Sequence, residues 1–123
     1  MVEVVVAEDK KMKYMYLLLV LSLVFISGCA QSMAPSKDDG FAQCLTESDA
    51  KMYGTEWCSF CKKQKALFGD SFQYVDYIDC DKNNQECTES GITGYPTWKI
   101  KGENYPGVQS FERLSSLTGC KLV

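Results

Sequence analysis

The sequence predicts an α/β fold: a central four-stranded mixed sheet with helices on both faces. Three observations carry this. Short β-type and helical segments alternate in the order β-α-β-α-β-β-α, the pattern of a sheet covered on both sides. The last two strands follow one another across the tight turn Gly102-Glu103. Hydrophobic residues make up 46% of 123 positions, enough for the packed core of one domain.

The elements follow in order. Phe41-Ala42-Gln43-Cys44-Leu45 suits a short helical turn. Ala50-Lys51-Met52-Tyr53-Gly54 is the first strand, and Thr55-Glu56-Trp57 a loop. A helix begins at or next to Cys58 and runs to Phe68, where Gly69 stops it. Its apolar stripe is Phe60, Cys61, Gln64, Leu67 and Phe68, with Lys62, Lys63 and Lys65 toward water. Phe72 to Cys80 alternates and is rich in aromatic and β-branched residues, which predicts the second strand. Asp81-Lys82-Asn83-Asn84 is a polar turn, and Gln85 to Ser90 a short helix ended by Gly91. The third strand spans Thr97 to Lys101, and the fourth lies around Asn104-Tyr105. Ser110 caps a last helix, Phe111 to Thr118, with Gly119 as its stop.

Ahead of this domain lies a different kind of segment. Lys10-Lys11-Met12-Lys13 is basic, Tyr14 to Ile26 is an apolar run of 13 residues that includes the single polar residue Ser22, and Ser27-Gly28-Cys29 follows. Basic start, apolar centre and small residues at the cut form the layout of a secretory signal. A bilayer span needs roughly 20 residues, so a permanent transmembrane helix fits less well. Ile26-Ser27-Gly28-Cys29 resembles the bacterial lipobox, which implies cleavage before Cys29 and a lipid on its sulfur. Residues 1–28 are thus read as a lipoprotein-type signal peptide. Glu3, Glu8 and Asp9 offset its positive charge, and Met12 would make a better start. Residues 29–40 are rich in Ser, Pro, Lys, Asp and Gly and read as a flexible tether, leaving 41–123 as the folded domain.

Composition removes several classes of function. The net charge is −3, with no basic footprint for nucleic acid. There is no histidine, which excludes Ser-His-Asp and Cys-His catalysis and Cys/His zinc fingers. Seven cysteines remain, an odd number, so one has a separate task.

Cys58 and Cys61 carry the chemistry. A cysteine at a helix N-terminus faces unpaired amide N–H groups and the positive end of the helix dipole, and both stabilise a thiolate, the attacking species in disulfide exchange. Cys58 is placed as the nucleophile, and Lys62, Lys63 and Lys65 would add to the stabilisation of its thiolate. Cys61, one turn further in, is placed to resolve a mixed disulfide. Half of a zinc site is the competing reading, but tetrahedral zinc needs four ligands, and Cys80 and Cys87 have the wrong spacing for a knuckle. No metal and no cofactor is expected. Tyr95-Pro96, after Gly94 and before a strand, fits a cis-proline turn. In the inferred fold it lies against Cys58 and offers its backbone to an extended substrate. Trp57 is either core or part of that substrate-facing surface.

Trp57-Cys58-x-x-Cys61, followed about 30 residues later by Gly91-Ile92-Thr93-Gly94-Tyr95-Pro96-Thr97, resembles the thioredoxin superfamily. The likeness covers residues 50–119. It is closer to the thioredoxin-like domain fused to or partnering vitamin K epoxide reductase homologues. The similar pieces are Phe41-Ala42-x-Cys44-Leu45, Lys51-Met52-Tyr53-Gly54, Gln64-Lys65-x-Leu67-Phe68-Gly69, Gln85-Glu86-Cys87-Thr88 and Leu117-Thr118-Gly119-Cys120. The resemblance implies a thioredoxin-like fold. It also implies oxidation of thiols in exported client proteins, with the electrons passed to a membrane protein of the vitamin K epoxide reductase type. Met52 stands where thioredoxin has a buried Asp, and Ser59-Phe60 where it has Gly-Pro, which argues against a cytosolic reductant.

Cys44, Cys80, Cys87 and Cys120 remain, and four cysteines allow three pairings. Cys80–Cys87 would close the turn between a strand and a helix, and Cys44–Cys120 would tie the ends of the domain, bonds that an exported protein permits. Cys80–Cys87 as a second redox pair is the alternative. The sequence thus predicts a thiol–disulfide oxidoreductase, lipid-anchored on the extracytoplasmic face of the membrane. The alternatives are a reductase or isomerase of the same fold, or a disulfide-stapled lipoprotein binding module without catalysis.

Overall fold

The computed structural model describes residues 2–24 and 36–123, which fall in two units, Met1–Ala34 and Pro35–Val123. The first contributes a helix, α1 (Val2–Val24). Among the described residues, no helix is long and apolar enough to cross a membrane. Ile26, Ser27, Gly28 and the proposed lipid site Cys29 lie outside the described residues.

The second unit holds helix α2 (Asp39–Glu47), strand β1 (Lys51–Gly54), helix α3 (Ser59–Phe68), a 3₁₀ helix (Gly69–Tyr74), β2 (Asp76–Asp79), α4 (Asn84–Glu89), β3 (Thr97–Ile100), β4 (Glu103–Pro106) and α5 (Phe111–Thr118). The sheet order is β2-β1-β3-β4. β1 runs parallel to β2 and antiparallel to β3, and β4 is antiparallel to β3. The sheet is therefore mixed and four-stranded, as the sequence predicts.

Period-two alternation sorts the strand residues onto two faces. Met52, Trp98 and Ile100 pack with Phe41, Ala42 and Leu45 of α2, Cys61 and Phe68 of α3, and Leu114 of α5. Tyr53 and Ile78 point the other way, into a smaller cluster with Cys80 and Cys87 beside α4. Helices thus cover both faces, the heavier side being that of α2, α3 and α5.

Three local expectations are corrected. Residues 39 and 40, assigned to the tether, are helical. Asp39 accepts hydrogen bonds from Ser71 Oγ at 2.7 Å, Ser36 Oγ at 2.8 Å and the Ser36 N–H at 2.9 Å. These bonds, that from Ser71 foremost, hold its carboxyl below the usual carboxylate value and secure the first turn. The second strand does not begin at Phe72. Thr46 Oγ1 donates to Tyr74 O at 2.7 Å and accepts from Asp76 N–H at 3.0 Å. One hydroxyl so takes the backbone groups at the strand entry, and the aromatic residues before it fold as a 3₁₀ turn in which Phe72 packs on Phe68 and Tyr77. In α3 the buried stripe is Cys61, Gln64 and Phe68, whereas Phe60 and Leu67 are exposed.

Gln64 is a buried polar residue whose side-chain oxygen and nitrogen are both hydrogen-bonded. Its Oε1 accepts from Trp98 Nε1 at 3.0 Å and from the Gln109 N–H at 2.7 Å, and its Nε2 donates to Gln109 O at 3.0 Å. One amide thereby joins α3, β3 and the segment leading into α5. Cys44 and Cys120 form a disulfide between α2 and the chain beyond α5, across a sequence separation of 76. Closing so long a loop stabilises by about 4 kcal/mol in the chain-entropy model. Cys80 and Cys87 form the second disulfide.

Gln64→Leu fills the same space but leaves the Trp98 indole and the Gln109 amide without acceptors. At 1–3 kcal/mol for each orphaned buried group, roughly, the variant should lose about 3 kcal/mol in a urea titration. An unchanged midpoint would contradict the bridging role.

Candidate active site

The site grows from the end of β1. Cys58 is the N-cap of α3, with extended backbone, and its sulfur accepts the Cys61 N–H at 3.1 Å. A side-chain acceptor on the third amide of a helix is the ordinary N-cap arrangement, here made with sulfur in place of a hydroxyl or carboxylate. A thiolate in that place takes a charge-assisted bond and the favourable end of the helix dipole. Cys58 keeps 7% of its surface exposed, whereas Cys61 has none. Both are free thiols.

Cys61 sits against the strand through Gly54. A β-carbon there would lie 2.8 Å from Cys61 Sγ and 3.3 Å from Tyr77 Cε2, closer than real side chains approach. Burial pushes the Cys61 thiol up to about 12, reinforced by its bond with Cys58, and the Thr55 backbone N–H and the Lys65 charge oppose the rise. Tyr77 is likewise raised, chiefly by burial and then by Glu56 and Asp79. Its hydroxyl is buried without a protein hydrogen-bond partner, as is that of Thr55.

The Tyr95–Pro96 peptide is cis. Pro96 is buried at the entry to β3, and its carbonyl accepts the Gly107 N–H at 2.7 Å. The residues around Cys58 meet this turn. Trp57 lies edge-on to Tyr95, ring centroids 6.1 Å apart, with 68% of its own surface exposed. Phe60 lines a groove of about 460 Å³ with Lys63, Tyr95, Pro96, Gly107 and Val108. The structure therefore brings Trp57, Cys58, Cys61, Tyr95 and Pro96 together. It places Cys80 and Cys87, 2% and 3% exposed, among the smaller cluster on the α4 side, which favours a bridge over a second exchange site. Cys44–Cys120 lies with α2 and the end of α5. Among the described residues no cluster of His, Cys, Asp and Glu is suited to a metal ion.

Sequence reasoning missed Gly54, Glu56 and Tyr77. Lys65, expected to face water or to add to the stabilisation of the Cys58 thiolate, has its Nζ 2.9 Å from Glu56 Oε1 and 4.0 Å from the centroid of the Tyr77 ring. The usable signal was its position, four residues after Cys61 and so on the same helix face.

This sheet order, with a dithiol at the N-terminus of α3 and a cis-proline turn at the entry to β3, defines a thioredoxin-like α/β fold. The sequence is similar to parts of several known proteins. The chain is 33% identical over 90 residues to the thiol-disulfide oxidoreductase LTO1 of Arabidopsis thaliana, covering 66% of this chain and 24% of that protein. It is 34% identical over 73 residues to protein disulfide isomerase-like 2-2 of Oryza sativa subsp. japonica, covering 48% and 20%. It is 30% identical over 96 residues to a probable protein disulfide-isomerase ER-60 of Schistosoma mansoni, covering 69% and 20%. The chain thus spans a quarter or less of the length of these curated relatives. Among solved structures, a mutant thioredoxin from Halobacterium salinarum NRC-1 aligns with a TM-score of 0.47 at 18% identity, covering 73% of this chain and 99% of that one. The first thioredoxin domain of mouse protein disulfide-isomerase A4 aligns at 0.44 and 17%, covering 76% and 85%. No family model matches. The fold itself is thioredoxin-like: a four-stranded mixed sheet flanked by helices.

The raised Cys61 thiol has a consequence for stability. A thiol whose value is higher in the folded than in the unfolded protein contributes stability that is fully present below the unfolded value and is lost as pH rises through the folded one. The reduced form should therefore lose stability from pH 9.0 upward toward about 12, and the oxidised form, which has no such thiol, should not share that loss. Urea titrations of both forms across that range would show it. Parallel declines would contradict the burial of Cys61 as a neutral thiol.

Proposed function

We propose that this domain is a protein thiol–disulfide oxidoreductase in which Cys58 attacks and Cys61 resolves. The observation that carries the reading is the asymmetry of the pair: one thiol caps a helix and keeps a small part of its surface exposed, and its partner is fully buried behind it against Gly54. In reduction, the Cys58 thiolate attacks one sulfur of a client disulfide, and the other client sulfur leaves. Cys61 then attacks Cys58 Sγ, the second client sulfur leaves, and the Cys58–Cys61 bond closes. Two electrons pass from the dithiol to the client. Oxidation of client thiols is the same path reversed, and isomerisation is attack followed by return.

The client is an extended polypeptide segment. Its backbone would lie along the Tyr95–Pro96 turn, and an apolar side chain next to its cysteine would enter the groove between Phe60 and Val108. Trp57 would cover the reacting sulfurs. The relatives named for disulfide isomerase and oxidoreductase activity support exchange or isomerase chemistry.

A finer reading follows from the two further disulfides, which suit an oxidising compartment. In it the domain is tethered through lipidated Cys29 to the extracytoplasmic face, oxidises exported proteins and passes electrons to a membrane protein of the vitamin K epoxide reductase type. Support for the tether is the Ile26–Cys29 sequence, and support for the acceptor is the resemblance of the domain.

Cys61→Ala should trap client proteins as mixed disulfides on Cys58, released by reductant, whereas Cys58→Ala should trap none. Failure of Cys61→Ala to trap any, together with no turnover of a model disulfide, would leave the non-catalytic binding module. The potential of the pair separates the directions of exchange: near −270 mV it matches a reductant, and near −180 to −120 mV an isomerase or oxidant, roughly.

A further inference from the structure

Lys65 is out of place for a lysine on an exposed helix. Such side chains normally extend their charged head into water. Here the side chain is 23% exposed, against 67% for its partner Glu56. The ammonium is held from two sides, by Glu56 Oε1 at 2.9 Å and by the Tyr77 ring with 4.0 Å to its centroid; the Phe72 ring lies further off, at 5.4 Å. Tyr77 and Cys61 converge on the space left open by Gly54. The order is thus Cys61 sulfur, Tyr77 ring, Lys65 ammonium, Glu56 carboxylate, with the carboxylate outermost.

We propose that Lys65 is a positioning residue for the resolving step, its clamped ammonium supplying the positive charge against which the buried Cys61 sulfur ionises. The inference rests on the exchange reaction proposed above. Cys61 must become a thiolate to close the disulfide, and it does so in a fully buried place. Met52, buried on the same face of β1, offers no charge. The titratable groups facing the pair are Cys58 on its own helix, Glu56 after β1, and Tyr77 and Asp79 on β2; Asp79 is engaged by the Asp81 N–H at 3.0 Å and by Lys82 at 3.8 Å. Burial foremost and then Cys58 oppose the Cys61 thiolate, and the Thr55 backbone N–H and then the Lys65 charge favour it, Lys65 being the cation among them. The Cys61 proton goes to water, its thiolate attacks Cys58 Sγ, and the client sulfur leaves as a thiolate that takes a proton from water.

The test separates attack from resolution. The reduced protein is mixed with dithiobis(nitrobenzoate). The first nitrothiolate is released when Cys58 attacks, the second when Cys61 resolves. In Lys65→Met the first phase should stay within about twofold of wild type. The second should slow about threefold or more at neutral pH, the loss of thiolate being partly offset by its greater nucleophilicity, and its pH profile should move to higher pH. Lys65→Gln should repeat this, and Lys65→Arg should hold the wild-type profile. Should Lys65→Met fail to fold, Lys65→Gln decides. An unchanged second phase in a folded neutral variant would overturn the proposal, as would equal slowing of both phases or equal loss in Lys65→Arg. The readout uses no client, so normal phases without trapped clients would sink the proposed function and not this inference.

Discussion

The sulfur of Cys61 occupies the place that a side chain at position 54 would take, and much of the site depends on that fit. Gly54 ends β1, and Cys58 begins α3 four residues later. With no β-carbon in the way, the first turn of α3 lies close against the strand. That closeness buries Cys61, and it leaves Cys58 at the rim as the cap of the same turn. The difference between the two thiols is therefore a packing effect before it is an electrostatic one. Burial raises Cys61, while Cys58 accepts the amide that links them.

The remainder of the fold keeps that turn in place. Gln64 and Phe68 anchor α3 to the sheet, Gln64 through its bonds to Trp98 and Gln109, Phe68 through its contacts with Phe41, Trp98 and Phe111. The Cys44–Cys120 disulfide ties α2 to the end of the chain on this same face. The Gly107 N–H, bonded to Pro96 O, fixes the turn whose side chains form one wall of the groove. Two exposed aromatic residues, Trp57 and Phe60, are then left around a nearly buried reactive sulfur. Their exposure sets two apolar rings on the surface beside the sulfur.

Much of this was legible in the sequence because the relevant signals are local. Alternation of strand and helix gave the sheet, Ser110 and Gly119 bounded the last helix, and the two-residue spacing of Cys58 and Cys61 marked a helix start. What was illegible depended on contacts between distant segments. Phe72 and Tyr74 look like strand residues, and only Thr46, from another helix, reveals why the strand starts later. Gln64 looks like a weak member of an apolar stripe until its three partners are in place. Lys65 reads as a solvent-facing lysine because nothing in its neighbourhood along the chain announces Tyr77. Gly54 reads as a strand end, and its role appears only once Cys61 is packed on it.

The central claim is the division of labour between the two thiols, and the most direct measurement is the order in which they are alkylated. The reduced protein would be treated briefly with a small alkylating agent at neutral pH, quenched, and mapped by peptide mass. The account predicts that Cys58 is modified well before Cys61, which reacts only as the domain opens. Equal labelling, or labelling of Cys61 first, would contradict it.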